Sequence, residues 1–403
     1  MTKHPAKRTR TESAEPRGGK PIPSQDRGSR WTCFATCASG LEPLLHAELR
    51  GLRAAKVERQ VGGVRFDASA REMWRANLEL RTATRVLVRL GRFGARDADE
   101  LYRGAIELPF EEWWREGTGL WISARVKESE LDHTRFVEQR VKDAVCDRLR
   151  ERTGARPDVD RDQPGLRLDV HIYRDRVTIS IDSTGEPLHK RGWRVHQGRA
   201  PLAETLAAGC VLHSGWDQRS PLVDPFCGSG TLLIEAGLIA LGIAPSSFGR
   251  EFALERWKTA KPAEFTKLRR EVEGARRTTG KLRLVGYDHH PERVAQAREN
   301  VSAAGLEGVI SIEQRSFADL KLKSGWNAWI VSNTPYGQRV GDREEALAIH
   351  RELGRRLREE WAGSHLALLV GSEELARALE LPIQRITLPN GGLDTELVLF
   401  GPA

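Results

Sequence analysis

One string constrains this chain more than any other: Leu222-Val223-Asp224-Pro225-Phe226-Cys227-Gly228-Ser229-Gly230-Thr231. An apolar strand runs into a Gly-x-Gly turn, and an apolar helix starts at Thr231. Glycine lets the backbone turn sharply and approach a ligand closely. The carboxyl end of such a strand in an open α/β sheet is where ligands bind. The surrounding pattern agrees. From about Gly198 the sequence predicts strands at 221–226, 283–288, 310–315, 328–333, 365–370, 384–388 and 396–400. It predicts helices at 202–213, 231–242, 291–304, 344–361 and 373–380. This alternation specifies an α/β fold with a doubly wound, mostly parallel sheet. Residues 243–282 are highly charged and too long for a simple connection, so a helical insertion is expected there.

The glycine turn excludes two common ligand classes. A dinucleotide fingerprint needs a third glycine three places after Gly230, where Leu233 stands. A phosphate-cradling Gly-Lys-Ser/Thr is absent as well. The second strand ends in Val285-Gly286-Tyr287-Asp288. An acidic residue there accepts hydrogen bonds from both hydroxyls of a ribose; it also serves as a helix N-cap before Pro291, and with the glycine turn upstream the ribose reading is favoured.

The fourth strand ends in Val331-Ser332-Asn333-Thr334-Pro335-Tyr336-Gly337. An exocyclic base amine is a poor nucleophile because its lone pair is delocalised into the ring. The Asn333 side-chain carbonyl and a backbone carbonyl beside Pro335 offer acceptors for both N–H bonds, freeing the lone pair and stabilising the charge that grows on nitrogen. Tyr336 is placed to stack on a base flipped out of its helix. Positioning supplies much of the barrier reduction, so no general base is required. A cytosine-C5 methyltransferase would need a cysteine nucleophile in this loop, and there is none. Cys227 is accounted for by its small size in the turn, and His289 and His290 read as loop residues rather than metal ligands.

Before Gly198 the grammar differs. Leu41, Leu44, Leu45, Leu49 and Leu52 follow helical spacing; a strand at Val64–Phe66, a helix at 73–80 and a strand through Val86, Val88 and Leu90 complete a small α+β module over 31–98. A second module, 99–190, has a period-two strand at 120–126 and a helix marked by Val137, Val141, Ala144, Val145 and Leu149. Its hairpin pairs 168–172 with 177–181 across Arg174-Asp175-Arg176. The outer helix face carries Arg135, Arg140, Lys142 and Arg148 beside Glu138, Asp143 and Asp147. That face reads equally as a phosphate track or as a solvated surface. Residues 1–30, with eight Lys/Arg against three Asp/Glu, lack the apolar content to fold alone; they are a disordered leader or an RNA tether.

The whole chain, 403 residues with 64 Lys+Arg against 56 Asp+Glu, carries a net charge of +8, which favours an anionic partner. Five cysteines, at 33, 37, 146, 210 and 227, form no CxxC pair; neither a disulfide framework nor a zinc ribbon is expected, and a cytoplasmic location is. No run of apolar residues is long enough to span a bilayer, and no metal site is expected.

The strings Asp224-Pro-Phe-Cys-Gly-Ser-Gly-Thr231 and Asn333-Thr-Pro-Tyr-Gly337 resemble the THUMP-domain class of RNA methyltransferases, and within it the RlmL/YpsC-type family of 23S ribosomal RNA guanine-N2 methyltransferases. Phe34-Ala-Thr-Cys-Ala-Ser-Gly-Leu41, Leu80-Arg-Thr-Ala-Thr-Arg85, Ser129-Glu-Leu-Asp-His-Thr134, Asp182–Gly192 and Ala200-Pro-Leu-Ala-Glu-Thr-Leu-Ala207 are also similar, as are Phe252, Trp257 and Asn390-Gly-Gly-Leu393. The resemblance implies a ferredoxin-like region, a THUMP RNA-binding domain and, over 198–403, a Rossmann-like class I methyltransferase domain with a seven-stranded, mostly parallel sheet. It implies S-adenosyl-L-methionine as cofactor, held by Asp224, Pro225, Phe226, Gly228, Gly230, Thr231, Asp288, Ser316, Phe317 and Asn333. It implies that Asn333, Pro335 and Tyr336 hold the target base, a guanine of 23S ribosomal RNA.

Three positions depart from the family pattern. Thr334 stands where proline is commonest, Ser316 where an acidic residue usually meets the adenine amine (leaving Asp319 or a backbone group as candidates), and Ala203 where a basic residue is frequent. One catalytic domain is expected, without the second methyltransferase that some members carry C-terminally. The alternatives are a guanine-N2 enzyme acting on transfer RNA and a non-catalytic RNA-binding ribosome-assembly factor. A DNA adenine-N6 enzyme shares the Asn-x-Pro-Tyr loop, but the THUMP-like half argues for RNA.

Overall fold

The computed structural model describes residues 30–196, 202–277, 282–323, 325–336 and 340–401, with helix backbone alone at 340–342. The tail before Arg30, the segment containing Gly198, Ala200 and Pro201, and Gly337 lie outside the described residues. Two compact units are present: Arg89–Ile181 form one, and the described residues up to Val88 together with those from Asp182 onward form the other.

In the discontinuous unit the chain begins with β1 (Trp31–Thr36), α1 (Glu42–Gly51), β2 (Ala55–Gln60), β3 (Gly63–Ala68), α2 (Ala70–Glu79) and the start of β4 (Arg85–Gly94). β1 lies between β3 and β4, antiparallel to both, and β2 pairs outside β3. Ser69 and Glu72 form a capping box that fixes the start of α2. The expected elements are all present. β1 and β2 are additions; β2 is an exposed edge strand whose polar sequence shows no alternation.

The unit Arg89–Ile181 contains α3 (Ala98–Ile106), β5 (Leu120–Lys127), α4 (Thr134–Thr153), β6 (Leu166–Tyr173) and most of β7 (Arg176–Asp182). β5 and β6 are parallel, and β6 and β7 antiparallel. The hairpin turn sets Arg174 and Asp175 at φ of 48° and 58°, the left-handed pair a two-residue hairpin favours. On α4, Arg148 makes a bidentate pair with Glu111 and also donates to the Ile106 carbonyl; Arg140 donates to Asp99 and the Ala98 carbonyl. Lys142 pairs with Asp143 at 3.2 Å, so three of the four basic residues read from the sequence on this face are engaged inside the unit.

The remaining elements are α5 (Glu204–His213), β8 (Leu222–Asp224), α6 (Thr231–Ala240), α7 (Pro262–Gly274), β9 (Leu284–Asp288), α8 (Pro291–Ala303), β10 (Ile310–Gln314), β11 (Trp329–Asn333), α9 (Val340–Arg358), β12 (His365–Val370), α10 (Glu373–Ala378), β13 (Gln384–Thr387) and β14 (Glu396–Phe400). They build a seven-stranded sheet in the order β10-β9-β8-β11-β12-β14-β13. All neighbours are parallel except β14, which is antiparallel to β12 and β13. The strand order reverses between β8 and β11, the switch point where such sheets open a crevice. Apolar clusters cover both faces. Every residue of α6 is buried, which is why, apart from Thr231 and Glu235, it is apolar on every side rather than amphipathic. The helix expected over 344–361 starts and ends earlier, and Trp361 instead closes a turn on the Arg356 carbonyl. The expected insertion contains a 3-10 turn at Ala253–Arg256 and α7, whose Phe265 packs edge-on against Trp74 of α2 at 5.7 Å.

A buried charge cluster joins the two sequence segments of this unit. Arg191 pairs with Glu235 at 3.2 Å, both fully buried, and donates to the Arg81 carbonyl at 2.6 Å. Arg81 donates to the Ile243 carbonyl, while Glu48 accepts from the Arg81 and Thr82 amides. Burial pushes the Glu48 and Glu235 carboxyls up and the Arg81 guanidinium down.

Candidate active site

β8 delivers Asp224 to the switch point, buried at the strand end. Its Oδ1 accepts from the Phe226 amide at 3.1 Å and from the Ser332 hydroxyl at 2.6 Å. Ser332 is the penultimate residue of β11, so this bond ties the glycine turn to the strand that carries Asn333. Burial raises the Asp224 carboxyl to about 7, with a smaller push from the nearby Asp288 charge and opposition from the two hydrogen bonds.

The turn itself is built around Gly228 and Gly230, at φ of 51° and 81°. A Cβ on Gly228 would meet nothing within 4 Å, so the turn borders open space. The Gly228 amide donates to Asp288 Oδ2 at 3.2 Å, and the His290 amide to Oδ1 at 3.0 Å. Each carboxylate oxygen keeps a lone pair for a further donor. Asp288 is not the N-cap of α8: His290 holds that place, without a side-chain cap, and the Asp288 carboxylate instead spans the His290 amide and the turn. Gly286 is required for packing, since a Cβ there would sit 2.5 Å from Leu233 Cδ1.

Phe226 and Phe317 meet in a tilted pair with centroids 5.1 Å apart, and the Arg356 guanidinium covers Phe317 at 4.7 Å. Ser316 is half-buried and accepts from the Ala318 amide, capping its own turn; Asp319 is exposed. Pro225 is buried and Pro335 exposed. At the end of β11, the Tyr336 hydroxyl donates to Asn333 Oδ1 and accepts from Asn390 Nδ2 at 3.3 Å. The Tyr336 ring lies against Gly371, where a Cβ would come within 2.7 Å of its Cγ. Burial pushes the phenol up to about 12, so it holds its proton across the neutral range.

Several residues in this shell have no local sequence signal. Arg194 donates to Glu204 at 2.8 Å, to the Ser229 and Thr231 hydroxyls and to the Leu202 carbonyl, linking the start of α5 to the turn. Asn300 donates to the Ser229 carbonyl at 3.0 Å and accepts from the Val195 and His196 amides. Ser332 and His350 belong with them. Their partners lie far away in sequence, so only the fold reveals them.

Comparison with known proteins identifies the domains of the chain. Residues 191–398 match the RMKL-like methyltransferase domain, residues 32–87 the RlmL ferredoxin-like domain and residues 95–182 the THUMP domain. The Ribosomal RNA large subunit methyltransferase K/L of Syntrophotalea carbinolica is 37% identical over 380 residues, covering 91% of this chain and 53% of that protein. The chain spans about half the length of the curated relatives it matches. Among solved structures, SMU.472 in complex with SAH superposes with a TM-score of 0.85 at 29% identity, covering 93% of this chain and 98% of that one. The structure of a predicted N6-adenine-specific DNA methylase from Listeria monocytogenes superposes with a TM-score of 0.84 at 32% identity, covering 93% and 97%. Among the described residues no helix is long and apolar enough to cross a membrane. By sequence and fold together, the chain belongs to the RMKL-like methyltransferase family.

Proposed function

We propose that this protein transfers a methyl group from S-adenosyl-L-methionine to the exocyclic N2 of a guanine in 23S ribosomal RNA. The observation that carries the reading is the buried Ser332–Asp224 bond. It couples a glycine turn suited to a nucleoside cofactor to the loop whose Asn333 carbonyl suits a base amine. The relative in Syntrophotalea carbinolica is named for the ribosomal large subunit, and the match to a THUMP domain over 95–182 favours RNA over the DNA named for the Listeria protein. The cytoplasm is the compartment of that substrate.

The residues present fit the cofactor. Asp288 retains acceptor capacity for ribose hydroxyls, Gly228 borders open space, and Asp224 places a buried carboxylate where a cation would be favoured. Asp224 and Pro225, with the turn Gly228–Gly230 and Thr231, would hold the methionine end, Phe226 and Phe317 would flank the adenine, and Ser316 would lie at its edge. When bound, the cofactor supplies an electrophilic methyl on a sulfonium. The work of the chain is on the nucleophile. Asn333 Oδ1 and the backbone carbonyl preceding Pro335 accept the two N–H bonds, and the Tyr336 ring stacks on the base. In the structure Asn333 Oδ1 is engaged by the Tyr336 hydroxyl, so the incoming amine replaces an existing hydrogen bond rather than a loosely held water. The phenol stays protonated and is not a base; the proton leaves after charge has developed on nitrogen.

The test is transfer of labelled methyl from S-adenosylmethionine to unmodified 23S ribosomal RNA by wild type and Asn333→Ala, with nucleoside analysis. N2-methylguanosine that disappears with the substitution is expected. N6-methyladenosine, or no product despite cofactor binding, would overturn the reading.

A further inference from the structure

β13 and β14 form a hairpin whose register runs from Thr387–Glu396 through Leu388–Thr395 to Asn390–Leu393, where the two backbones exchange both hydrogen bonds. Gly391 and Gly392 close the turn at φ of 58° and 85°, the left-handed pair of a tight two-residue hairpin. β14 is antiparallel to both β12 and β13, so the carboxyl end of β13 lies at the same edge of the sheet as Asn333. Tyr336 bridges the interval. Its ring lies against Gly371, just past β12, and its hydroxyl accepts from Asn390 Nδ2 at 3.3 Å. Side chains two apart along a strand share a face, as do directly opposed ones. On the face that includes Asn390, Leu388 and Leu397 are wholly buried in the core and Ile386 packs against it. Leu393 continues that face beyond the core and is 39% exposed. A Cβ on either glycine would meet nothing within 4 Å, so the tip projects into open space. Alternation turns Asp394 to the opposite face.

We propose that Leu393 is a wedge: as the target base swings into the Asn333–Tyr336 site, the leucine side chain enters the RNA stack and fills the gap the base leaves. The proposal rests on the reading of the chain as an RNA base methyltransferase and adds a substrate-contacting residue to it. Three features carry it. The hydrogen bond to Tyr336 fixes the hairpin tip at the rim of the base site, on a strand two places along the sheet from Asn333, about 10 Å away. The two-glycine turn holds the tip in one conformation, so Leu393 is presented rather than loosely tethered. The exposed side chain is apolar, and a base drawn out of a stack leaves an apolar gap that water fills poorly. An inserted aliphatic side chain restores part of the lost stacking and holds the opened state.

Methyl transfer by the full chain to unmodified 23S ribosomal RNA, and separately to bulk transfer RNA, tests this with wild type, Leu393→Ala and Leu393→Met. Leu393→Ala should lower kcat/KM for RNA about tenfold or more, and Leu393→Met should restore most of it. S-adenosylmethionine affinity and the thermal midpoint should match wild type in both variants. The alanine defect should also be smaller on RNA refolded without magnesium, whose looser helices release the base more readily, than on RNA refolded with it. Unchanged kcat/KM in Leu393→Ala overturns the proposal. So does a defect of equal size on both RNA preparations, or one accompanied by weaker cofactor binding, since either assigns the leucine to packing. If wild type makes N2-methylguanosine in transfer RNA alone, the proposed substrate falls, and the same variants on transfer RNA still decide for or against the wedge. No product from wild type on either RNA overturns the reaction and the wedge together.

Discussion

Thr334 Oγ1 lies 3.2 Å from Nε2 of His350, and both side chains are buried. His350 Nδ1 sits 2.6 Å from the Ala346 carbonyl; that nitrogen must carry the proton, which leaves Nε2 to accept from the threonine hydroxyl. Burial keeps the imidazole neutral by lowering its pKa. The residue that departs from the family's proline is therefore one half of a buried polar pair. Thr334→Val, which strands Nε2, should cost about 1–3 kcal/mol. Thr334→Pro should be costly in the wild-type background and better tolerated with His350→Leu. A double-mutant cycle by chemical denaturation measures the coupling; simple additivity would show that the pair is not coupled.

The Asn333–Tyr336 hydrogen bond predicts a separation of kinetic effects. Asn333→Ala should lower kcat on 23S RNA by roughly 10²–10³, with S-adenosylmethionine affinity changed only a few-fold. Tyr336→Phe removes the hydroxyl that occupies the carbonyl but keeps the ring, and should retain most of kcat; Tyr336→Ala should not. Because the phenol sits near 12, kcat should show no tyrosine ionisation between pH 7 and about 10. A basic limb that vanishes in Tyr336→Phe would contradict this.

Asp224 ties stability to pH. Its carboxyl is near 7 in the folded chain and about 3.9 in an unfolded one, so the unfolded chain gives up this proton first as pH rises. The protonated side chain therefore contributes stability that is complete below about pH 4 and lost above about pH 7. Asp224→Asn should raise the thermal midpoint of the ligand-free protein at pH 8, an advantage that fades toward pH 5. It should also weaken S-adenosylmethionine binding, because the buried anion that attracts a cation is gone. Thermal melts from pH 5 to 8.5, with and without cofactor, check both signs.

The Arg191–Glu235 pair is fully buried. Glu235→Leu alone leaves an uncompensated guanidinium and should cost about 3–5 kcal/mol. Arg191→Met/Glu235→Leu should recover much of that loss, since replacing both charges removes their desolvation penalty as well as their attraction. Denaturant melts of the two variants distinguish this from a defect of packing alone, which the double change would not recover.

What could be read from the sequence was local. Gly228, Gly230 and Asp288 announce themselves because a strand end, a turn and a helix start lie within a few residues of each other. Asn333 and Tyr336 stand in one loop. α6 and the central strands β8, β9 and β12 are legible because they are largely apolar. Arg194, Asn300, Ser332 and His350 are not legible: their roles arise from partners far away in the chain, as Asn300 shows by holding Val195, His196 and Ser229. Charge misleads for the same reason. Arg140 and Arg148 stand on an outward helix face in the sequence pattern, yet Asp99 and Glu111 hold them.

The discontinuity of the larger unit has a consequence for how the chain is made. Val86 hydrogen-bonds Ser183 and Thr184, so the backbone leaves this unit beside the place where it returns. A ribosome adding roughly 5–20 residues each second takes on the order of ten seconds to synthesise the stretch between them. For that interval Glu48 and Arg81 have emerged while Arg191 and Glu235 do not yet exist. The first segment must wait, incomplete and with its polar groups still hydrated, for the second half of its own core, while the intervening unit has all its strands in hand and can fold first.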